Sequence, residues 1–155
     1  MKLRLAATDD LQALISLRLG YLRTDYTVLS PQQERQITAQ LEEYFPGHLG
    51  RDCFAYLAEE QGAAVACAFL ILSEKPANPS FPTGKTGTLM NVYTLPGHRR
   101  RGYASALVER IIADARQMEL SSLELKATED GLPLYQKLGF LEEASDYTAM
   151  RLVLI

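Results

Sequence analysis

The sequence predicts an α/β domain in which a mixed, mostly antiparallel sheet is flanked by helices on both faces. Three observations support this prediction. Strand and helix patterns follow the order β-α-α-β-β-β-α-β-α-β, the early strands are close enough in sequence to pair as hairpins, and a later strand–helix–strand unit requires a crossover. With 155 residues, 47% of them apolar, the chain is long enough to form one domain over residues 1–155 with a sizeable core.

Composition and charge argue against several classes of protein. Sixteen Lys and Arg against 19 Asp and Glu leave a net charge of −3, which disfavours a nucleic-acid partner. No apolar run approaches the roughly 20 residues of a membrane span, and residues 1–5 lack the features of a signal peptide. Cys53 and Cys67 lie in apolar segments and are expected to be buried and reduced. His48 and His98 have no neighbours at metal-ligand spacing. We therefore expect a cytoplasmic monomer or homodimer without a bound metal or a membrane partner.

The first third of the chain predicts one strand and two helices. Leu3 and Leu5 alternate with basic residues over 2–6, which indicates a short strand. Thr8 is the expected N-cap of the first helix. Ser30-Pro31-Gln32-Gln33 is a capping box with Pro at the first helical position, and Pro46-Gly47 is expected to end the second helix.

Two strands and an irregular segment come next. Residues 53–59 alternate, residues 63–73 are nearly all apolar, and Gln61-Gly62 between them predicts a hairpin turn. The continuous apolar run is typical of a central strand covered on both faces. Residues 74–87 contain three prolines and two glycines, so they are expected to form a flap or a mobile surface segment.

The remaining elements complete the crossover. A strand is predicted over 88–95, and the strongest helical periodicity of the chain begins at Gly102. A strand over 122–127 and a short helix over 132–138 follow, with Gly139 at the C′ position of that helix. Residues 147–155 are predicted to form a final strand.

The junction between strand 88–95 and the helix that begins at Gly102 carries the clearest chemical signal. A helix N-terminus presents unpaired N–H groups and partial positive charge, and Gly102 allows a ligand to approach the backbone closely. Arg99, Arg100 and Arg101 add three cations at a position where the helix dipole disfavours them, which indicates a bound anion such as a phosphate or pyrophosphate. The spacing matches neither a P-loop nor a dinucleotide fingerprint. A solvated charge cluster is the alternative interpretation.

Two blocks of this sequence resemble a known family. Asn91-Val92-Tyr93-Thr94-Leu95-Pro96, followed by Arg99-Arg100-Arg101-Gly102-Tyr103-Ala104, is similar to the acyl-CoA-binding motif of the GNAT superfamily of N-acyltransferases. The Arg/Gln-x-x-Gly-x-Gly/Ala pattern of that motif falls on Arg99, Gly102 and Ala104. Leu134-Tyr135-Gln136-Lys137-Leu138-Gly139-Phe140 resembles the family's Leu-Tyr-x-x-x-Gly-Phe segment. The resemblance spans essentially the whole chain and implies a sheet that splays between strands 88–95 and 122–127, where acyl-CoA enters.

The resemblance also implies roles for individual residues. Backbone groups of Val92, Tyr93 and Thr94 would pair with the pantetheine arm of acetyl-CoA, and one N–H would polarise the thioester carbonyl. The pyrophosphate would be held by the backbone N–H groups of six consecutive residues, with Ser105 nearby. These residues are Arg99, Arg100, Arg101, Gly102, Tyr103 and Ala104. Tyr135 would be the general acid that protonates the leaving thiolate. Thr128 stands where the family often has Asn, so only a hydroxyl is offered to the cofactor there.

Several alternatives remain open from the sequence. Tyr135 lies among leucines and would also suit simple core packing. No general base is identified: Asp25, Glu59 and Glu124 are candidates only as carboxylates near expected site edges, and a water relay serves equally well. The amine acceptor, a small molecule or a peptide, is expected between the loop that holds Asp25 and Tyr26 and the segment 74–87. The competing functional class is a non-catalytic acyl-CoA-binding sensor or interaction module.

Overall fold

The computed structural model describes all of residues 1–155 and contains five strands and four α-helices. The strands are β1 (Lys2–Leu5), β2 (Cys53–Glu60), β3 (Ala63–Glu74), β4 (Lys85–Thr94) and β5 (Ser122–Glu124). The helices are α1 (Leu11–Asp25), α2 (Pro31–His48), α3 (Tyr103–Gln117) and α4 (Leu132–Lys137). One sheet contains all strands in the order β1-β2-β3-β4-β5, and only β4 and β5 are parallel. The predicted mixed, mostly antiparallel sheet is confirmed. No helix combines the length and apolar character needed to cross a membrane.

Two apolar clusters pack on opposite faces of the sheet. Alternate residues of β2 and β3 point to opposite sides, so Leu57 and Phe69 join one cluster while Tyr56 and Leu70 join the other. The first cluster also contains buried residues of α1 and α2, and the second contains those of α3. Cys53 and Cys67 are free and fully buried in the first cluster, as predicted. The sheet therefore has helices on both faces, with α1 and α2 opposite α3.

The start of α1 differs from the prediction. Thr8 does not cap the helix, because a 3-10 turn over Thr8–Asp10 precedes it. The Asp10 carboxylate accepts the Ala7 N–H at 2.8 Å and two N–H groups of the Arg4 guanidinium at 2.7 and 2.8 Å. Arg4 also donates to Glu59 at 2.6 Å. This ion-pair network joins β1, β2 and the entry to α1, and residue spacing alone does not show it.

The capping box of α2 is confirmed, but its predicted end is not. Ser30 Oγ accepts from Gln33 N–H at 3.1 Å, and Gln33 Oε1 accepts from Ser30 N–H at 2.9 Å. The helix continues through Pro46 to His48. A proline this close to the C-terminus removes only one intrahelical bond, and the buried Phe45 ring holds the last turn against the core.

The two hairpins differ in their loops. Gln61 and Gly62 have φ of 52° and 81°, which is the predicted tight turn between β2 and β3. Between β3 and β4, the predicted flap 74–87 is a shorter loop over 75–84, because both strands extend further than expected. Lys75 N–H donates to Gly84 O at 2.9 Å and closes this loop.

The end of the chain shows the largest departure from the prediction. β5 covers only residues 122–124 of the expected 122–127, and no strand forms over 147–155. Residues 141–155, which we call the extended segment, are exposed at every position. The strand prediction was wrong because a strand requires a partner edge, and this chain brings none to those residues.

Candidate active site

The strand β4 contains a bulge at its centre. Cys67 pairs with Tyr93 while Phe69 pairs with Met90, so two residues of β4 lie opposite one of β3. Asn91 occupies the bulge with a φ of 54° and is 2% exposed. Its Oδ1 accepts from Arg18 Nη1 at 3.0 Å, and its Nδ2 donates to Cys67 Sγ at 3.3 Å. The Asn91 side chain therefore fixes the bulge to both α1 and β3.

From the sequence, Asn91 was placed at the start of the acyl-CoA motif without a role for its side chain. Asparagine is one of the few residues that adopt positive φ readily, and it is rarely buried without hydrogen bonds. Its position between the apolar pairs Leu89-Met90 and Val92-Tyr93 is the signal that was available from the sequence.

β4 and β5 pair only before the bulge and separate after Thr88. Their parallel pairing consists of Thr86, Gly87 and Thr88 of β4 against Ser122, Leu123 and Glu124 of β5. β4 continues to Thr94, and no strand covers its second edge past Thr88. On that edge, backbone groups of Val92, Tyr93 and Thr94 face an opening in the sheet. This opening is the splay between the two strands that the resemblance predicted.

The junction between β4 and α3 presents a row of unpaired amides. The chain turns through a 3-10 segment at Pro96–His98, and Gly102 precedes α3 with a φ of 82°. No backbone or side-chain acceptor in the chain is bonded to the N–H groups of the six residues from Arg100 to Ser105. The first α3 bond is that of Ala106 N–H to Gly102 O, at 3.0 Å. Consecutive free amides at a helix start form a concave site for an anion.

Two of the three junction arginines have partners within the protein. Arg99 Nε donates to Thr94 O at 3.2 Å, and the guanidinium lies 6.0 Å from the centre of the Tyr93 ring. Arg101 Nη1 lies 3.3 Å from both Glu60 oxygens, and His98 Nε2 lies 3.1 Å from one of them. Only Arg100 makes no hydrogen bond or ion pair. The side chains of Arg99 and Arg101 therefore shape the turn, and the amides supply most of its capacity to bind an anion.

The tyrosines of the first motif point into the core. Tyr93 is 8% exposed and packs against α1, where a Cβ on Gly20 would lie 2.9 Å from its hydroxyl oxygen. Tyr103 is buried in the second cluster. Only backbone groups of these two residues face the predicted cofactor path.

Gly20 was not recognised from the sequence, although a glycine in the middle of a helix costs about 1 kcal/mol relative to alanine and so needs a structural reason.

Tyr135 lies on α4, which follows β5, and is near Tyr21, whose ring meets Tyr93 of β4. Its ring is half-buried, packs edge-on against Phe140 at 5.9 Å, and contacts the second cluster. Its hydroxyl makes no hydrogen bond in the chain, which distinguishes it from the buried Tyr56, whose hydroxyl donates to Asp114 at 2.9 Å. Burial raises the pKa of Tyr135 to about 12, and the nearby Tyr21 adds to the shift. The Tyr135 phenol is therefore neutral over the whole physiological pH range.

Thr128 and Gly131 form the turn that places Tyr135. Gly131 N–H donates to Thr128 Oγ1 at 3.2 Å, so the Thr128 hydroxyl already serves the start of α4. A Cβ on Gly131 would lie 3.1 Å from Tyr135 Cε2 and 3.3 Å from Thr128 Oγ1. The lack of a side chain at Gly131 thus lets the Tyr135 ring lie close to the turn.

The three candidate carboxylates have different surroundings. Glu59 is bound by Arg4 in the β1–β2 ion pair, which removes it from the site. Glu124 is exposed at the end of β5. Asp25 ends α1 and lies near Tyr21, where burial and the Asp25 charge together raise the pKa of the Tyr21 phenol. The Tyr21 ring meets Tyr93 edge-on at 6.5 Å. Of the three carboxylates, Asp25 is therefore the one near the aromatic side chains between α1 and β4.

The loop over 75–84 lies away from this opening. Thr83 Oγ1 lies 2.7 Å from Ser121 Oγ, immediately before β5. The amides of the junction follow the other end of β4, about 30 Å along a strand of this length. The loop therefore lies at the opposite end of β4 from the junction amides, and a contribution of segment 74–87 to acceptor binding stays a prediction.

Comparisons with known proteins agree with this geometry. Residues 16–140 match the model of the acetyltransferase (GNAT) family. A predicted acetyltransferase from Clostridium acetobutylicum, solved with acetyl-CoA, is 26% identical, with a TM-score of 0.83 over 97% of this chain and 95% of that chain. A GCN5-related N-acetyltransferase from Ralstonia eutropha JMP134 is 27% identical, with a TM-score of 0.81 over 96% and 97%. An aminoglycoside 6'-N-acetyltransferase from Acinetobacter haemolyticus, 22% identical with a TM-score of 0.68 over 99% and 100%, shares the fold. No curated protein sequence matches the chain.

The chain belongs to the GNAT acetyltransferase family. It is an acyl-CoA-dependent N-acetyltransferase, and acetyl-CoA is its co-substrate. The junction fits that co-substrate: the free amides from Arg100 to Ser105 suit a pyrophosphate, and a Cβ at Gly102 would meet no protein atom within 4 Å, so it would project into open space beside those amides. The roles of individual residues stay predictions, and they are developed below.

Proposed function

We propose that this protein transfers the acetyl group of acetyl-CoA to a primary amine by direct attack, with both substrates bound and no covalent enzyme intermediate. The observation that carries the proposal is the opening between β4 and β5, which has an uncovered strand edge on one side and the unbonded Tyr135 hydroxyl on the other. Acetyl-CoA supplies the acetyl group as an activated thioester.

The junction binds and orients the co-substrate. Amides from Arg100 to Ser105 hold the pyrophosphate, and the Arg100 side chain adds an unpaired cation beside it. The uncovered edge of β4 receives the pantetheine arm as an added strand through Val92, Tyr93 and Thr94. Because the Asn91 bulge is tied to α1 and β3, this edge is fixed before any ligand arrives. A preorganised N–H donor on this edge stabilises charge on the carbonyl oxygen.

The Tyr135 hydroxyl supplies the proton for the departing thiolate. If the CoA thiol kept its ordinary pKa of about 8.5, transfer from the buried Tyr135, with a pKa of about 12, would be uphill by roughly 5 kcal/mol. Burial changes this comparison, because it raises the pKa of thiols in the same protein: that of Cys53 to about 11 and that of Cys67 to about 12. A CoA thiol in a similarly buried site would have a pKa close to that of Tyr135. Burial therefore makes the Tyr135 phenol a weaker acid, but it also makes the departing CoA thiolate a stronger base.

The acceptor enters from the end of α1. Asp25 attracts a cationic amine, and the Tyr21 phenol is near both Asp25 and Tyr135. A carboxylate at this position draws the ammonium form towards the site and favours a basic amine over a neutral one. We assign Asp25 this attracting role, and replacement by Asn is expected to raise KM for the amine more than it lowers kcat.

The decisive experiment compares wild-type protein with Tyr135→Phe. Thiol release from acetyl-CoA is measured with a panel of primary amines, and acetyl-CoA affinity is measured by calorimetry. The phenol hydroxyl acts only in the transition state, so kcat is expected to fall by about 10²–10⁴-fold while the dissociation constant stays nearly unchanged. Equal turnover in the variant would remove Tyr135 from the mechanism. Binding of acetyl-CoA without thiol release for any amine would identify a non-catalytic acyl-CoA-binding module instead.

A further inference from the structure

Arg18 is the one partly buried arginine of this protein that has no carboxylate partner. Nine of the eleven arginines are exposed, and only Arg4 and Arg18 are partly buried. Arg4 donates to the carboxylates of Asp10 and Glu59. Arg18 donates only to the neutral amide of Asn91, at 3.0 Å, and it forms no ion pair. A guanidinium withdrawn from water is usually paired with an anion, so we expect the anion of Arg18 to come from a ligand.

Arg18 lies beside the proposed reaction site. On α1, Arg18, Tyr21 and Asp25 follow one another at spacings of three and four residues, so they share one face of the helix. The central carbon of the Arg18 guanidinium lies 5.8 Å from the centre of the Tyr21 ring. The Tyr21 phenol is near that of Tyr135, the proposed proton donor. An anion bound to Arg18 would therefore lie in the acceptor region, close to both phenols.

The guanidinium of Arg18 keeps donors free for a planar anion. Its one hydrogen bond uses Nη1, and neither Nε nor Nη2 has a partner in the chain. These two nitrogens lie on one edge of the guanidinium plane and donate in parallel, which is the geometry that a carboxylate accepts. The Asn91 amide also donates to Cys67 Sγ, so the group that Arg18 contacts is itself fixed. The cation is thus held in place before an acceptor binds.

We propose that Arg18 binds a carboxylate of the amine acceptor, so that free amino acids are acetylated in preference to simple amines. This assignment rests on the proposed transfer of acetyl to a primary amine. The carboxylate takes the free edge of Arg18, and the amine lies on the Tyr21 side, towards Tyr135. Asp25 is seven residues further along α1, about 10 Å at the helical rise per residue. At this separation its charge attracts the ammonium group and opposes the carboxylate only weakly.

The test compares amino acids with the amines that lack their carboxylate. For each pair, kcat/KM for thiol release from acetyl-CoA is measured with wild-type protein, Arg18→Gln and Arg18→Lys. The ratio of amino acid to amine should be about 10–100-fold larger in the wild type than in Arg18→Gln, which loses the charge but can still donate to Asn91. Arg18→Lys keeps the charge without the paired donors and should give an intermediate ratio. The two acceptors of a pair differ in basicity, but that difference is the same for every variant.

Arg23→Gln is the matched control, because Arg23 lies on the same helix, is exposed and pairs with Glu34. Its ratio should equal that of the wild type. An equal ratio in wild type and Arg18→Gln would overturn the proposal, even where both acceptors lose activity together, because Arg18 would then act only through Asn91. A preference for aminoalkyl phosphates over amino acids that is lost in Arg18→Gln would also overturn the assignment of a carboxylate. Should Arg18→Gln fail to fold, Arg18→Lys and the wild type give the same comparison.

Binding of the carboxylate can be measured without acetyl transfer. Calorimetry titrates the same amino acids into protein saturated with CoA, which has no acetyl group to transfer. Binding that is weakened tenfold or more in Arg18→Gln, and not in Arg23→Gln, would support the carboxylate site even without turnover. Acetylation of simple amines and amino acids with no dependence on Arg18 would establish acetyl transfer and remove only this site. Absence of both binding and acetylation for every amino acid would overturn the proposal.

Discussion

The two strands that border the opening in the sheet are built differently. β4 has ten residues, pairs with β3 along its length, and has a buried bulge tied to α1 by Asn91 and Arg18. β5 has three residues, and its outer edge is uncovered. The backbone groups proposed to bind acetyl-CoA lie on β4, which has more buried residues than β5. Tyr135, the proposed proton donor, lies on the side with fewer contacts.

The largest expected effect removes the clamp on β4. Asn91→Ala leaves the Arg18 and Cys67 groups without a partner and places alanine at a φ of 54°, so the free energy of unfolding should fall by about 2–4 kcal/mol. Asn91→Gly is the matched control, because glycine accepts the φ but lacks the side chain. Chemical denaturation of both variants separates the cost of the lost hydrogen bonds from the cost of placing alanine at a positive φ. Equal stability of Ala, Gly and wild type would mean that the clamp does not hold β4.

The next effect concerns the amides that follow β4. Gly102→Val places a branched side chain at a φ of 82° beside the free amides, so acetyl-CoA affinity should fall by tenfold or more. Gly97→Val lies in the same turn with open space and without a positive φ, and it should bind nearly normally. Calorimetric titration compares the two variants. Similar affinities would argue that the cofactor does not approach the backbone at Gly102.

The pH dependence of stability reports on the two buried thiols, Cys53 of β2 and Cys67 of β3. The pKa of Cys67 is about 12 and that of Cys53 about 11 in the folded protein, above the ordinary value for a thiol. Their contribution is complete below the unfolded pKa of about 8.5, and each thiol then costs about 1.4 kcal/mol per pH unit as the pH rises towards its folded pKa. Unfolding measured from pH 8 to 10 should show this loss. Cys67→Ser keeps a polar partner for Asn91 and should remove the contribution of one thiol from the slope of unfolding free energy against pH. An unchanged slope would contradict the raised pKa of Cys67.

The smallest expected effect is on the β5 side. Gly131→Ala brings a Cβ to within 3.1 Å of the Tyr135 ring, while its ordinary φ of −83° avoids backbone strain. We expect kcat to fall by about three- to tenfold because the hydroxyl is displaced, with little change in stability. Steady-state kinetics and thermal unfolding measure the two quantities. A fall in stability with unchanged kcat would show that the turn does not position Tyr135.

Local chemistry predicted much of this protein. The Ser30 capping box, the Gln61-Gly62 turn, the helix from Gly102 and the Gly139 helix end depend on a few neighbouring residues, and each is confirmed. The two motifs placed the chain in its family for the same reason, because short spacings hold the chemistry of the β4–α3 junction and of α4.

Other features depended on residues far apart in sequence. The Asn91 clamp joins groups separated by 73 and 24 positions, Gly20 is required by Tyr93, and Glu59 is removed from the site by Arg4. No local pattern indicates which distant partner satisfies a polar group. Residues 147–155 show the same limit: their alternation specifies the character of a strand, but a strand forms only where the tertiary or quaternary structure supplies an edge to bond it.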